Sequence, residues 1–162
     1  MLKYTIGFIR RGDEILLLNR EKSTWMGSWN GVGGKLEKGE SPRQCILREV
    51  LEETGIVLEE IEFKGLVTWE GDKSYHGGMY AFIGEVPESY EYTTPIKTDE
   101  GILDWKKIDW IFHPDNTGVA NLQYFLQELL RDKEVYEHHF VYRNGNVEKF
   151  ERKSLSIFEE IY

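Results

Sequence analysis

Residues 31–56 read GVGGKLEKGESPRQCILREVLEETGI, and this stretch decides the fold. Five glycines between positions 27 and 39 (27, 31, 33, 34 and 39) predict a loop with special backbone geometry. A helix over 42–54 follows. Ser41 is suited to cap it, Pro42 fits its first position, and Gln44 completes a capping box. Gly55 supplies the stop. On that helix Glu49, Glu52 and Glu53 stand at i, i+3 and i+4, so their carboxylates project from one side. Ile46, Leu47, Val50, Leu51 and Thr54 fall mainly on the other side and are expected to bury against a sheet. Like charges on adjacent turns destabilise an isolated helix by a few tenths of a kcal/mol per pair. Such a face is either simply solvated or a ligand set. Glu40 and Arg48 beside it, and the glycine loop before it, favour the second reading. Hard oxygen donors concentrated in this way suit Mg²⁺ or Mn²⁺.

Outward from this centre, Leu2 to Ile9 and Ile15 to Leu18 read as strands joined at Arg11-Gly12-Asp13. Further strands are expected over Ile61 to Trp69, Gly78 to Val86 and Gly101 to Ile108. Val119, Leu122, Phe125, Leu126, Leu129 and Leu130 recur at helical spacing, which predicts a second helix from about 117 to 132. Phe140 to Arg152 alternates around Asn144-Gly145, a strong hairpin signal. Strands bracketing two helices imply an α/β fold with a mixed sheet between them, as one domain over residues 1–162.

Lys and Arg total 20 against 29 Asp and Glu, a net charge of -9. So acidic a chain is not expected to bind nucleic acid in bulk. It can hold a small phosphorylated molecule if a divalent cation mediates. The apolar runs are far shorter than the ~20 residues of a membrane helix, so no membrane partner is expected. The first residues, MLKYTIGFIRRGDE, lack a signal peptide's apolar region and cleavage site. The lone Cys45 suits a reducing compartment, and a cytoplasmic protein is expected.

Gly34, five residues, Glu40, seven residues, then Arg48-Glu49-Val50-Leu51-Glu52-Glu53-Thr54-Gly55-Ile56 matches the Nudix box, GX5EX7REUXEEXGU, without a departure. The chain is identified by this resemblance as a member of the Nudix hydrolases. The resemblance implies a Nudix α/β/α sandwich and cleavage of nucleoside diphosphates linked to another group. It further implies that Glu49, Glu52 and Glu53 hold divalent cations with help from the Gly33 carbonyl. Arg48 and Glu40 would support those carboxylates, while Gly34 and Gly39 let the loop double back. A further acid from a distant loop usually serves as ligand or base, and Glu100 is the candidate, its alternative being an ordinary loop carboxylate.

Thr5, Arg20 and the run Trp29-Asn30-Gly31-Val32-Gly33-Gly34-Lys35 resemble the MutT-type enzymes that sanitise oxidised purine nucleotides, particularly their mammalian 8-oxo-dGTPase branch. Thr5, Arg20, Asn30 and Lys35 are therefore candidate substrate-binding residues. Asp115 and Asn116 fall where that branch reads the base, though Asn116 replaces an aspartate and His113 a tryptophan. Their alternative is to cap the second helix. Trp25 and Trp29 are either core or stacking residues. His76, His138 and His139 stand at no metal-ligand spacing, and Cys45 has no histidine near it in sequence to make it a nucleophile.

The expected activity is hydrolysis of a nucleoside triphosphate, such as 8-oxo-dGTP, to monophosphate and pyrophosphate, with Mg²⁺ or Mn²⁺. The rivals are an ADP-ribose or nucleotide-sugar pyrophosphatase, a diadenosine polyphosphate hydrolase, and a ligand sensor without catalysis. The first often has a proline soon after the box, absent here between Pro42 and Pro87. The second often has a tyrosine near the place of Tyr75. The third usually has a degraded box. The sequence sets no oligomeric state.

Overall fold

The computed structural model describes residues 2–22, 26–72, 76–131, 133–155 and 161–162. Trp25 and Tyr75 lie outside the described residues. Strands β1 (Tyr4–Arg11), β2 (Glu14–Arg20) and β3 (Trp29–Asn30) precede helix α1 (Pro42–Thr54). Then follow β4 (Glu62–Glu70), β5 (His76–Val86), β6 (Ile96–Lys97), β7 (Gly101–Lys107), α2 (Ile108–Ile111), α3 (Leu122–Arg131), β8 (Tyr136–Arg143) and β9 (Asn146–Ser154). The strands form one mixed sheet in the order β6-β7-β2-β1-β5-β4-β8-β9, with β3 beside β2. The β1–β5 and β4–β8 pairs are parallel and the others antiparallel.

Strand alternation divides the core between two faces. Ile15 and Leu17 of β2, with Ile6 and Phe8 of β1, pack against Leu122, Phe125, Leu126 and Leu129 of α3. Leu16 and Leu18, with Ile9 and Phe82, pack against Ile46 and Val50 of α1. One helix thus covers each face, giving the expected α/β/α sandwich. Gly7 lies under α1, where a β-carbon would come within 2.8 Å of Ile46 Cδ1. The helix can therefore sit directly on β1.

Helix α1 has the expected bounds. Ser41 accepts from the Gln44 N–H, Gln44 accepts from the Ser41 N–H, and Gly55 closes the helix at φ 77°. Leu51 corrects one expectation. It is 48% exposed, because its position on the helix lies on the flank between the sheet face and the carboxylate face. Cys45, on the same helix, is fully buried beneath the glycine loop.

The second helix starts at Leu122, not near 117. Ala120 takes φ 49°, a left-handed conformation that an α-helix does not continue through. Val119 is buried all the same, which is why its periodicity read as helical. The strand expected to run to Ile108 ends at Lys107, and residues 108–111 turn into α2. The two-residue strands β3 and β6 are too short for a periodic signal.

Replacing Phe125 by Ala should lower unfolding stability by about 3–5 kcal/mol, as for a fully buried aromatic, and Ser41→Ala by about 1 kcal/mol. Leu51→Ala, at an exposed position, should change it by no more than about 0.5 kcal/mol. Urea titrations of the three variants check the set, and a Leu51→Ala loss equal to that of Phe125→Ala would contradict the exposed flank.

Candidate functional site

The glycine loop is tied to β1 before it reaches α1. Gly7 and Val32 exchange backbone hydrogen bonds of 2.6 and 3.0 Å, and the Thr5 N–H donates to the Gly34 carbonyl at 2.8 Å. This close backbone approach needs glycine. At Gly33, with φ 154°, a β-carbon would collide with the Thr5 carbonyl, and at Gly34 it would lie 2.5 Å from the Glu49 carboxyl carbon. The fixed glycine of the box is thus the residue that makes room for Glu49.

Arg48 organises the carboxylates. Its Nε and Nη2 donate to the two oxygens of Glu40 at 2.7 and 2.9 Å, a bidentate pair. Its Nη1 donates to Glu49 at 2.8 Å and to Glu52 at 3.3 Å, and Nη2 also reaches the Lys35 carbonyl at 3.2 Å. The Arg48 hydrogen bonds hold the Glu40 carboxyl down at about 2. Glu40 also accepts the Glu37 N–H at 2.9 Å, which closes the loop on itself.

Glu53 is half-buried and accepts the Gly33 N–H at 2.9 Å. Burial pushes its carboxyl up to about 7; the charges of Glu49 and Glu100 add to this, while the Gly33 N–H and the Arg20 charge oppose it. Glu100 reaches this neighbourhood through strand register. β2 pairs with β7 so that Arg20 faces Gly101, and the Glu21 N–H donates to the Glu100 carbonyl at 3.0 Å. Two acids distant in sequence, together with Arg20, are therefore brought to the end of α1.

The donor set suits a hard divalent cation. It consists of carboxylates with surplus negative charge, one of them pushed towards its protonated form chiefly by burial. Among the described residues, no three acids, histidines or cysteines converge closely enough to cage an ion. Arg48 draws Glu49 and Glu52 towards itself, while Gly33 holds Glu53.

A cavity of about 720 Å³ adjoins the loop. Thr5, Arg20, Asn30, Gly33 and Gly34 line one part of it, and Trp69, Met79, Asn121 and Tyr142 another. The Arg20 Nε is buried with no hydrogen-bond partner among the described residues. Asn30 is buried and its side-chain oxygen accepts the Gly31 N–H at 2.8 Å. Thr5 is buried, its hydroxyl 3.3 Å from both the Gly34 carbonyl and Cys45 Sγ. Burial pushes the Cys45 thiol up to about 11, which keeps it protonated and unreactive.

Other expected residues lie outside this cavity. Lys35, bridged to Tyr4, is exposed and does not line the cavity. Asp115 is exposed, and the Asn116 amide is engaged in its own loop, donating to the Trp110 carbonyl at 2.9 Å and accepting the Gly118 N–H at 3.0 Å. Neither lines the cavity, and neither caps α3, which begins six residues after Asn116. His113, also exposed, accepts the Asp115 N–H through Nδ1 at 3.1 Å. Trp29 packs on the α3-side core with Lys106 Nζ 4.4 Å from its ring centroid, so it serves packing. Trp69, Met79, Asn121 and Tyr142 were missed, since no motif marks them and they meet only through the packing of β4, β5, β8 and the segment before α3.

Glu53 makes stability depend on pH in cation-free buffer. Its carboxyl is raised from 4.5 to about 7, so its contribution is fully present below about 4.5 and is lost as pH rises through about 7. Glu53→Gln should flatten that decline, and divalent-cation affinity of the native protein should rise over the same range as the carboxyl ionises. Urea midpoints between pH 4 and 9 check this; identical profiles for the two proteins would contradict it.

The NUDIX domain family matches residues 1–132 of the chain. The uncharacterized Nudix hydrolase YvcI of Bacillus subtilis is 32% identical over 105 residues, 62% of this chain and 63% of that protein. The oxidized purine nucleoside triphosphate hydrolase of Mus musculus is 26% identical over 117 residues, 67% of each chain. A MutT protein from Bacillus halodurans has a crystal structure that superposes with a TM-score of 0.76 at 24% identity, over 94% of this chain and 97% of the other. With the intact box folded around Arg48 and the sandwich shared with that structure, the chain belongs to the Nudix hydrolase family.

Proposed function

We propose that the chain is a divalent-cation-dependent nucleoside triphosphate pyrophosphohydrolase acting on purine nucleotides, oxidised ones such as 8-oxo-dGTP included. The observation that carries this reading is the junction of two unlike surfaces. The acidic cluster of α1 abuts a cavity whose near part holds the cation Arg20 and whose far part holds Trp69 and Tyr142. A polyphosphate fits the first and a planar base the second. The mouse relative's name points the same way.

Glu49, Glu52 and Glu53 would hold Mg²⁺ or Mn²⁺, with the Gly33 carbonyl as a further donor. The ion supplies charge neutralisation at the phosphates and a lower pKa for the attacking water. Arg20 pairs with a phosphate oxygen, which satisfies its buried Nε. A carboxylate of Glu52, Glu53 or Glu100 takes the proton as the water oxygen bonds to phosphorus and the bridging P–O bond breaks. Such base assistance is worth about 10²–10⁴-fold in rate. Arg48 and Glu40 do not touch substrate in this scheme; they hold Glu49 and Glu52 in place. A small-molecule nucleotide is then the partner, in the cytoplasm. No helix of the described residues is long and apolar enough to cross a membrane.

Incubated with Mg²⁺ and a purine triphosphate, the protein should release monophosphate and pyrophosphate rather than diphosphate and orthophosphate. Chromatography of the products decides between these outcomes. Excess chelator should abolish turnover, and Glu53→Gln should lower kcat by at least ~10²-fold without unfolding the chain. Orthophosphate as first product, or a clear preference for ADP-ribose, would overturn the reading.

Arg48→Lys keeps the charge and loses the bidentate fork. It should reduce kcat about 10- to 100-fold, the usual effect of removing a group that orients metal ligands. Full activity in this variant would mean that the carboxylates need no such support.

A further inference from the structure

The hairpin β8–β9 lies beyond residue 132, where the match to the family ends, yet its Tyr142, Asn144 and Gly145 line the cavity. Two features place it there. β8 runs parallel to β4, with Glu70 opposite Val141, and the Asn144 N–H donates to the Asp72 carboxylate at 3.1 Å. In the sheet order β1-β5-β4-β8, the hairpin stands three strand spacings from β1, roughly 14 Å. The cavity therefore spans from the glycine loop to a wall to which the hairpin, beyond the matched residues, contributes Tyr142.

That wall combines aromatic surface with an amide. Tyr142 stacks on Phe140 with ring centroids 5.8 Å apart and planes 17° apart, so its orientation is fixed from behind. Its hydroxyl accepts a hydrogen bond from Asn121 Nδ2 at 2.9 Å. Asn121 lies just before α3 and lines the same cavity. A primary amide has two N–H donors and a carbonyl acceptor. With one N–H directed to Tyr142, the other N–H and the oxygen form a donor–acceptor pair. Its complement is an acceptor beside a donor, which a purine presents as O6 and N1–H in guanine or as N1 and N6–H in adenine.

We propose that Tyr142 and Asn121 form the base subsite, the Tyr142 ring packing on a purine and the Asn121 amide reading its edge, so that the C-terminal hairpin and the segment before α3 together set base preference. This rests on the reading of the cavity as a nucleotide site, and it replaces Asp115 and Asn116 in the role of base readers. Asp72, by holding Asn144, acts as a positioning residue for the hairpin.

The test separates base binding from turnover. Wild type, Tyr142→Ala, Tyr142→Phe and Asn121→Ala are titrated calorimetrically with GMP, AMP, CMP and ribose 5-phosphate, and melting temperatures are recorded. The same proteins are assayed for kcat and KM on GTP, ATP and CTP. Wild type should bind GMP more tightly than CMP or ribose 5-phosphate. Tyr142→Ala should weaken GMP about 10-fold, the order expected for a lost aromatic contact with its buried area. Asn121→Ala should weaken GMP and AMP binding several-fold, the order of a lost hydrogen-bonded contact to the base edge. Tyr142→Phe should retain most of the binding. Ribose 5-phosphate should move less than twofold throughout, and the losses in turnover should fall on KM more than on kcat.

Equal losses for GMP and ribose 5-phosphate would reveal a general distortion and overturn the proposal. So would unchanged GMP binding in folded Tyr142→Ala and Asn121→Ala together with unchanged base preference. Wild type that binds GMP no better than ribose 5-phosphate would overturn it as well, even with triphosphate turnover intact. Should no triphosphate be hydrolysed while GMP binding still depends on Tyr142 and Asn121, the subsite stands and the hydrolase reading fails.

Discussion

The structure around the site depends on one ion pair, the fork of Arg48 on Glu40. Four carboxylates within a few turns would repel one another and push the glycine loop off the helix. Arg48 faces Glu40, Glu49 and Glu52 at once and reaches the Lys35 carbonyl as well, so a single guanidinium ties loop to helix. Lysine has no planar fork and could not serve several acceptors in fixed directions. The spacing of seven residues between Glu40 and Arg48 is the length of chain needed to round the Ser41 cap and climb two turns back to the loop.

This arrangement leaves Glu53 in a different condition from its neighbours. Glu40 is held ionised by Arg48, whereas Glu53 is pushed by burial towards its protonated form. Two carboxylates on one motif thus have opposite electrostatic histories, one structural and one poised to respond to a cation or a proton. The inequality arises from geometry. Arg48 points towards the loop side of α1, and Glu53 points towards the sheet end, where Arg20 and Glu100 arrive on β2 and the segment before β7.

The cavity has two unlike parts. The glycine loop and the ends of β1 and β2 line one with backbone groups and the guanidinium of Arg20. The wall formed by β4, β8 and the residues before α3 lines the other with aromatic and amide groups.

The sequence by itself determined what is local. The capping box at Ser41 and Gln44, the stop at Gly55, the carboxylate face and the Asn144-Gly145 turn all express interactions within a few residues, so their signals survive in a linear reading. It misread Leu51, because periodicity marks a wide apolar stripe without showing where the sheet ends. It carried the second helix back to residue 117, because Val119 is buried whether or not the chain is helical and the left-handed Ala120 leaves no compositional mark. Only the tertiary structure decided which distant residues meet. The register of β2 on β7 brings Glu100 and Arg20 to Glu53, and the parallel pairing of β4 with β8 places Tyr142 on the same cavity as Trp69. It also leaves Lys35, Asp115 and Asn116 outside the cavity. Such meetings depend on strand order and register, which long-range packing fixes and no single segment encodes.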